Sequence, residues 1–192
     1  IEVAGMKSGM PMPPLALQDE VSLSLSLHVM EQTKKAMEAE GKTFTPHPAM
    51  SVVEKMVKEF GREGKKVSKG FYDYPENGEK HLWTELTELY PTTDEQPSQQ
   101  DLVDRLLYVQ ANETAKCYEE NVVRTVADAN IGSIFGWGFA PNQGGTLQFI
   151  NSVGVDKFVA RSRELAQKYG ARFEPAQILV AMAAKGEVFS DD

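Results

Sequence analysis

The sequence is poor in the residue types that build disulfides and metal centres. Among its 192 residues there is one cysteine, Cys117, and there are three histidines, His28, His47 and His81. A single cysteine cannot form an internal disulfide, which is usual for proteins of a reducing compartment such as the cytoplasm. No histidine has a second histidine or cysteine at ligand spacing. We therefore expect no metal site, with surface or structural histidines and Cys117 as a small buried side chain.

Long apolar runs and an excess of basic residues are also missing. No apolar stretch approaches the roughly 18–20 residues that a membrane helix needs, and the first residues have no signal-peptide pattern. Lys and Arg number 20 against 28 Asp and Glu, a net charge of −8, so nucleic acid is not an expected partner. With 41% apolar residues, and with no initiator Met, the sequence is typical of a cytoplasmic globular fragment of a longer protein.

What the sequence does have is an internal repeat. Two glycine- and proline-rich turns, and two Pro-Ala pairs that open helical patterns, recur at a constant separation of 127 positions. The matching residues are Gly9 and Gly136, Pro14 and Pro141, and Pro48 and Pro175. Anchors at one constant separation indicate a duplicated supersecondary unit.

Between these anchors the pattern is helical. Residues 17–40 alternate like a strand around 22–27, but Leu17, Val21, Leu25 and Val29 recur every four residues, which favours one helix. Further helical patterns begin near Pro48, Asp101, Asp156 and Pro175, and no segment predicts a strand with confidence. The predicted fold is all-α.

The domain organisation follows from the one clear linker pattern. Residues 91–100 contain two prolines and no large apolar residue. We therefore expect a first helical repeat at 1–90, a linker at 91–100 and a second helical repeat at 101–192.

Two segments could carry chemistry. The loop at 61–70 combines glycines with Arg62, Lys65, Lys66 and Lys69, which could cradle an anion; a surface connection into the aromatic segment that begins at Phe71 explains it equally well. In the paired turns, Ser8 and Phe135 stand just before the two glycines, where a side chain can be directed into a crevice. The other interpretation of these turns is a pair of core corners.

Four segments resemble a known family. The turn Gly9-Met10-Pro11-Met12-Pro13-Pro14 within residues 6–21, and the segment from Gly61 to Tyr74, resemble motifs of the 3-hydroxyacyl-CoA dehydrogenase C-terminal domain. Residues 128–145 and 172–186 are similar to the second repeat of multifunctional fatty-acid-oxidation proteins. The resemblance implies two tandem repeats of that helical domain, of the 6-phosphogluconate dehydrogenase C-terminal type, packed as a pseudo-dimer.

The resemblance also implies a function. The intact enzyme would oxidise a 3-hydroxyacyl-CoA in fatty-acid β-oxidation and pass a hydride to NAD, which an upstream Rossmann domain would bind together with the catalytic His–Glu pair. This region would close the substrate site and mimic the family's dimer. A thiolase subunit is an expected partner of the parent protein. The chain alone, without proton acceptor or NAD site, is expected to be inactive.

Site residues carry over only in part. The resemblance implies substrate contacts at Phe135, Gly136, Ser8 and Gly9, and no catalytic, cofactor or metal residue in this chain. The family's substrate-contacting Asn-Arg pair has Asp104-Arg105 as its second-repeat counterpart, with Asp in place of Asn.

First-repeat glycines of the family are replaced as well, by Pro13 and by Ser22 after Val21. Two alternatives remain: a non-catalytic dimerisation or scaffold module, and the helical domain of another hydroxy-acid dehydrogenase.

Overall fold

The computed structural model describes residues 1–191, and α-helices dominate it. In chain order the helices are α1 (Glu2–Ser8), α2 (Pro14–Val21), α3 (Leu23–Ala39), α4 (Ala49–Lys58), α5 (Leu86–Leu89), α6 (Gln99–Glu119), α7 (Val126–Trp137), α8 (Thr146–Val153), α9 (Val155–Tyr169) and α10 (Gln177–Lys185). The all-α class predicted from the sequence is confirmed. No helix among residues 1–191 has the length and apolar character needed to cross a membrane.

The prediction of no strand needs a correction. Two strands of two residues each, β1 (Tyr72–Asp73) and β2 (His81–Leu82), pair antiparallel in a small hairpin. Such short strands leave no period-2 pattern that a sequence analysis could detect.

The predicted helix at 17–40 is two helices, α2 and α3. Ser22 separates them with φ 86° and ψ 126°, a conformation outside the right-handed helical region. The break turns Leu23 and Leu27 into the core and leaves Leu25 and Val29 exposed.

The described chain forms two compact units. One unit comprises Ile1–Pro13 together with the chain from Pro97 onward, and the other comprises Pro14–Gln96. The first helix therefore packs with the later part of the sequence, although the sequence analysis assigned residues 1–90 to one repeat. The repeat boundaries themselves stay a prediction.

The larger unit has the larger core. Helices α6, α8, α9 and α10 converge on side chains that are almost completely buried, and the rings of Tyr108 and Phe158 stack at 4.3 Å between centroids. The fully buried apolar side chains of this unit include Phe139, Leu147, Ile150, Phe158, Leu165, Phe173 and Leu179. Both glycine turns belong to this unit, the first of them up to Pro13.

The smaller unit packs α3 and α4 against the segment that follows α4. Its core cluster consists of the buried side chains of Leu23, Leu27, Val53, Met56 and Phe71. Phe71 lies at the start of the hairpin, so the hairpin is anchored in this core.

Candidate functional site

The first glycine turn ends α1. Gly9 has φ 90°, in the left-handed region, and its N–H donates to Met6 O. A Cβ added at Gly9 would lie 2.0 Å from Asn142 Oδ1, so backbone conformation and close approach both require glycine. Ser8 is buried, and its hydroxyl donates to Gly5 O at 2.7 Å. The Ser8 hydroxyl is thus already engaged within its own helix.

The second turn follows α7 and differs in detail. Gly136, the sequence counterpart of Gly9, lies within α7, and the left-handed residue that ends the helix is Gly138, with φ 74°. A Cβ added at Gly138 would lie 3.2 Å from Pro11 Cγ, and Pro11 and Gly138 are themselves 127 positions apart. The two turns therefore lie directly against each other within the larger unit.

Equivalent faces of α1 and α7 have opposite environments. On α1, Ala4 and Ser8 are each 1% exposed, and α1 packs against α6. Their counterparts on α7, Ile131 and Phe135, are 58% and 85% exposed. Phe135 is therefore available for contact with another molecule or domain, whereas Ser8 is not.

An apolar pocket lies between α6 and the end of α7. It has a volume of about 310 Å³, and its lining residues are Gln110, Glu113, Thr114, Cys117, Val123 and Trp137. The Trp137 indole N–H donates to Gln110 Oε1 at 3.0 Å, so two of the lining side chains are joined by a hydrogen bond. Cys117 is half-buried here rather than fully buried as the sequence analysis expected.

Asp104, the second-repeat counterpart of the family's substrate-contacting asparagine, has a different role. It is buried, and its carboxylate accepts from Arg161 Nε at 2.8 Å and from Gln100 Nε2 at 2.7 Å. Arg161 also donates to Asp101 at 2.6 Å, and Arg105 lies over the Tyr169 ring at 4.4 Å. The pair Asp104-Arg105 thus belongs to a polar cluster that joins α6 to α9.

The electrostatics of this cluster favour charged carboxylates. The hydrogen bond from the Tyr169 hydroxyl, followed by the one from Arg161, holds the pKa of Asp101 well below its usual range. The same bond from Tyr169 raises the pKa of its phenol. The lowered pKa of Asp101 and the raised pKa of Tyr169 are those of a stabilising ion-pair cluster. Separately, burial raises the pKa of Tyr108, on the core side of α6, to about 12.

Intramolecular contacts of its own basic side chains fix the 61–70 loop. Arg62 is 5% exposed; it donates to Gly70 O at 2.7 Å and to Asp73 Oδ1 at 2.7 Å, and it lies over the Trp83 ring. Lys65 pairs with Glu20. Two of the four basic side chains are therefore occupied in intramolecular pairs, which favours the structural interpretation over the anion cradle.

Asp19 explains why this loop folds as it does. Its buried carboxylate accepts the N–H groups of Phe71 at 2.7 Å and Tyr72 at 2.9 Å, and the Tyr74 hydroxyl at 3.0 Å. Burial, followed by this bond to Asp19, raises the pKa of Tyr74 well above its usual value. Asp19 falls within the segment 6–21 of the sequence analysis, which gave it no role. It stands between Gln18 and Glu20, so nothing in the local sequence sets it apart from a solvent-exposed acidic residue.

Three asparagines were missed in the same way. Asn112, Asn130 and Asn151 use their side-chain amides to fix distant backbone: 174–176, the start of α8 and residue 189 respectively. Such long-range bonds leave no periodic signature. Among residues 1–191, no group of three or more His, Cys, Asp or Glu side chains is arranged to hold a metal ion. The three histidines are exposed.

Comparison with known proteins identifies what this arrangement resembles. Residues 1–74 match the family model described as 3-hydroxyacyl-CoA dehydrogenase, C-terminal domain. The dehydrogenase part of multifunctional enzyme 1 from C. elegans matches 94% of this chain with 41% of its own length, at 19% identity and a TM-score of 0.59. 3-Hydroxybutyryl-CoA dehydrogenase from Escherichia coli K12 matches 95% of this chain with 54% of its own length, at 16% identity and a TM-score of 0.64.

These findings confirm the resemblance to the 3-hydroxyacyl-CoA dehydrogenase C-terminal domain, while the resemblance of residues 128–145 and 172–186 to a second repeat stays a prediction. The first 74 residues match the C-terminal helical domain of that family, and almost the whole chain shares the fold of the two dehydrogenases. The chain spans about half or less of the length of these solved structures.

Proposed function

We propose that this chain is the C-terminal region of an NAD-dependent 3-hydroxyacyl-CoA dehydrogenase of fatty-acid β-oxidation, in which it closes the substrate site and mimics the family's dimer. The parent protein would work in the cytoplasm, with an upstream Rossmann domain and, as a partner, a thiolase subunit. The family match of residues 1–74 carries this proposal. The contact between the two repeat-related turns supports the tandem arrangement.

The residues of this chain do not fit NAD. A dinucleotide site needs a strand that leads through a glycine-rich turn into a helix, and the strands among residues 1–191 have two residues each. The chain's own contribution is therefore to substrate binding. Hydride transfer and proton removal belong to the upstream domain in this proposal.

Phe135 is the side chain that we assign to substrate contact. At 85% exposure on a regular helix, it presents nearly its whole ring outward, where burial against a ligand would be favourable. Gly136 next to it has no atom within 4 Å of an added Cβ, so a ligand can approach the backbone there. Ser8 and Gly9 make no such contact in this proposal: Ser8 is buried with its hydroxyl bonded to Gly5 O, and Gly9 packs against Asn142.

The test is made in the full-length dehydrogenase that carries this chain. Phe135→Ala should lower kcat/KM for a 3-hydroxyacyl-CoA by roughly 5- to 30-fold, the equivalent of about 1–2 kcal/mol of lost apolar contact. Phe135→Tyr, which keeps the ring, should stay close to wild type. Val122→Ala, at a side chain 69% exposed outside the helix, is the matched control.

Three results would contradict the proposal. Equal kcat/KM for wild type and Phe135→Ala would favour the alternative of a scaffold module without substrate contact. Turnover of 3-hydroxyacyl-CoA and NAD by the isolated 192-residue chain would show that the catalytic groups lie within it. A parent protein that oxidises a different hydroxy acid would favour the other alternative, the helical domain of another hydroxy-acid dehydrogenase.

A further inference from the structure

The segment 187–191 follows α10 and is fixed to the body of the larger unit. Helix α10 ends at Gly186, with φ 69°. Phe189 is then 6% exposed and meets the Tyr118 ring edge-on at 5.6 Å. A large aromatic side chain buried in this way anchors an otherwise irregular segment.

The Asn151 side chain makes two hydrogen bonds to the backbone of Phe189. Its Oδ1 accepts the Phe189 N–H at 3.0 Å, and its Nδ2 donates to Phe189 O at 2.9 Å. Both backbone groups of one residue are thus satisfied by a single side chain on α8. The position of residue 189 is therefore set by α8 and by the core.

This anchoring places Asp191 at the start of α7. One carboxylate oxygen accepts the Val126 N–H and the other accepts the Ala127 N–H, the latter at 2.7 Å. Thr125 Oγ1 accepts the Asp128 N–H at 3.0 Å. Side chains thus satisfy three of the four N–H groups that a helix leaves unpaired at its N-terminus. Two of the three depend on a residue 64 or 65 positions away.

The smaller unit has a related arrangement with a different outcome. Asp19 and Asn151 are 132 positions apart, as are Ser22 and Gly154, which share nearly the same φ and ψ. Asp19 binds the backbone at Phe71, as Asn151 does at Phe189. In the smaller unit this bond fixes a hairpin. In the larger unit, the bond between Asn151 and Phe189 places the Asp191 carboxylate at the N-terminus of α7, the helix that carries Phe135.

We infer that Asn151 and Asp191 are positioning residues: they fix the segment 187–191 as a cap on α7 and thereby hold Phe135 for substrate contact. This rests on the proposed function only in its last step. The capping of α7 by Asp191 and its dependence on Asn151 stand on the hydrogen bonds alone. The segment 187–191 thus supports the helix that carries the proposed substrate contact and contributes no contact of its own.

Hydrogen exchange of the 192-residue chain tests the capping. In Asp191→Ala, amides of α7 should exchange about fivefold faster, the effect of one lost helix cap, while α9 and α10 stay unchanged. Asp191→Asn, which keeps one acceptor oxygen in place of two, should restore slow exchange only in part. Asp156→Ala, which removes a carboxylate from the first turn of α9, is the matched control. Unchanged exchange in α7, or faster exchange throughout the unit, would overturn the inference.

Kinetics of the full-length dehydrogenase test the positioning. Asp191→Ala and Asn151→Ala should raise KM for 3-hydroxyacyl-CoA and change kcat little, with Asp191→Asn between Asp191→Ala and wild type. If Phe135→Ala raises KM and the two alanine variants at 151 and 191 do not, the positioning role is refuted while the proposed function stands. If none of the three raises KM but α7 exchange is faster, the substrate contact at Phe135 is refuted while the cap stands.

Discussion

Replacing Ser22 by glycine tests whether the break between α2 and α3 depends on backbone conformation. Ser22 has φ 86° and ψ 126°, and Gly154, at the corresponding break before α9, has φ 93° and ψ 125°. The same turn thus uses glycine in one place and serine in the other. A residue with a Cβ is strained at this φ, and glycine is not.

The expected magnitude follows from two opposing effects. A non-glycine residue at such a φ carries about 1–3 kcal/mol of strain, and glycine gains about 0.4–1 kcal/mol of conformational entropy in the unfolded chain. Ser22→Gly also loses the bond from Ser22 Oγ to Glu63 O at 3.2 Å, and Ser22→Ala loses the same bond. The difference in stability between these two variants therefore reports the effect of backbone conformation alone. Ser22→Gly should be more stable than Ser22→Ala by about 1–2 kcal/mol.

Urea unfolding followed by tryptophan fluorescence gives this difference for each unit separately. The sequence has two tryptophans, and Trp83, which contacts Arg62, lies in the smaller unit while Trp137 lies in the larger one. Ser22 variants are read from Trp83 in a Trp137→Phe background. The reciprocal variant Gly154→Ala, read from Trp137, should lose about 1–2 kcal/mol of unfolding free energy.

The outcome that refutes this reasoning is an inverted order. At a regular helical position such as Ser26 in α3, the alanine variant should have a free energy of unfolding about 0.5–1 kcal/mol higher than the glycine variant. If Ser22 shows that same order, its conformation is not the source of strain, and the break between α2 and α3 has another cause.

Three further predictions concern buried polar contacts and close packing. Asp19→Ala should destabilise the smaller unit by about 3 kcal/mol or more in urea unfolding, because it leaves two backbone N–H groups without their acceptor. Asp101 has a lowered pKa in the folded state. Its contribution to the free energy of unfolding is therefore complete above the pKa of about 4 that it has in the unfolded chain, and it is lost as the pH falls below that value. The stability difference between wild type and Asp101→Asn should thus shrink from pH 6 towards pH 3, and a constant difference would contradict it. Gly9→Ala should lower the thermal midpoint, with part of the loss recovered in the double variant with Asn142→Ala; no recovery would argue against the close contact.

Much of the fold was predictable because helices depend on local pattern. The helices from Asp101, Asp156 and Pro175 appear within a few residues of the predicted starts. The break at Ser22 was not predicted: serine itself gives no signal of positive φ, and no break was inferred from the family glycine that it replaces. The hairpin was missed because its strands are too short for a pattern.

The candidate site was predictable only as sequence positions. Ser8 and Phe135 are equivalent in the repeat, and nothing local distinguishes their environments. The structure buries Ser8 near α6 and leaves Phe135 exposed because α1 packs on α6 and α7 presents the matching face outward. Burial is a property of the neighbours that a helix acquires, which the spacing of its own residues does not contain.

The sequence by itself determined the helical class, the duplicated turns and the resemblance to a dehydrogenase C-terminal domain, because these depend on periodicity and on motifs of adjacent residues. Only the tertiary structure decided the roles of Asp19, Asn151 and Asp191. Each acts on backbone more than 35 positions away. Such bonds satisfy buried or terminal N–H groups that no local residue can reach, so they become visible only when the chain has folded.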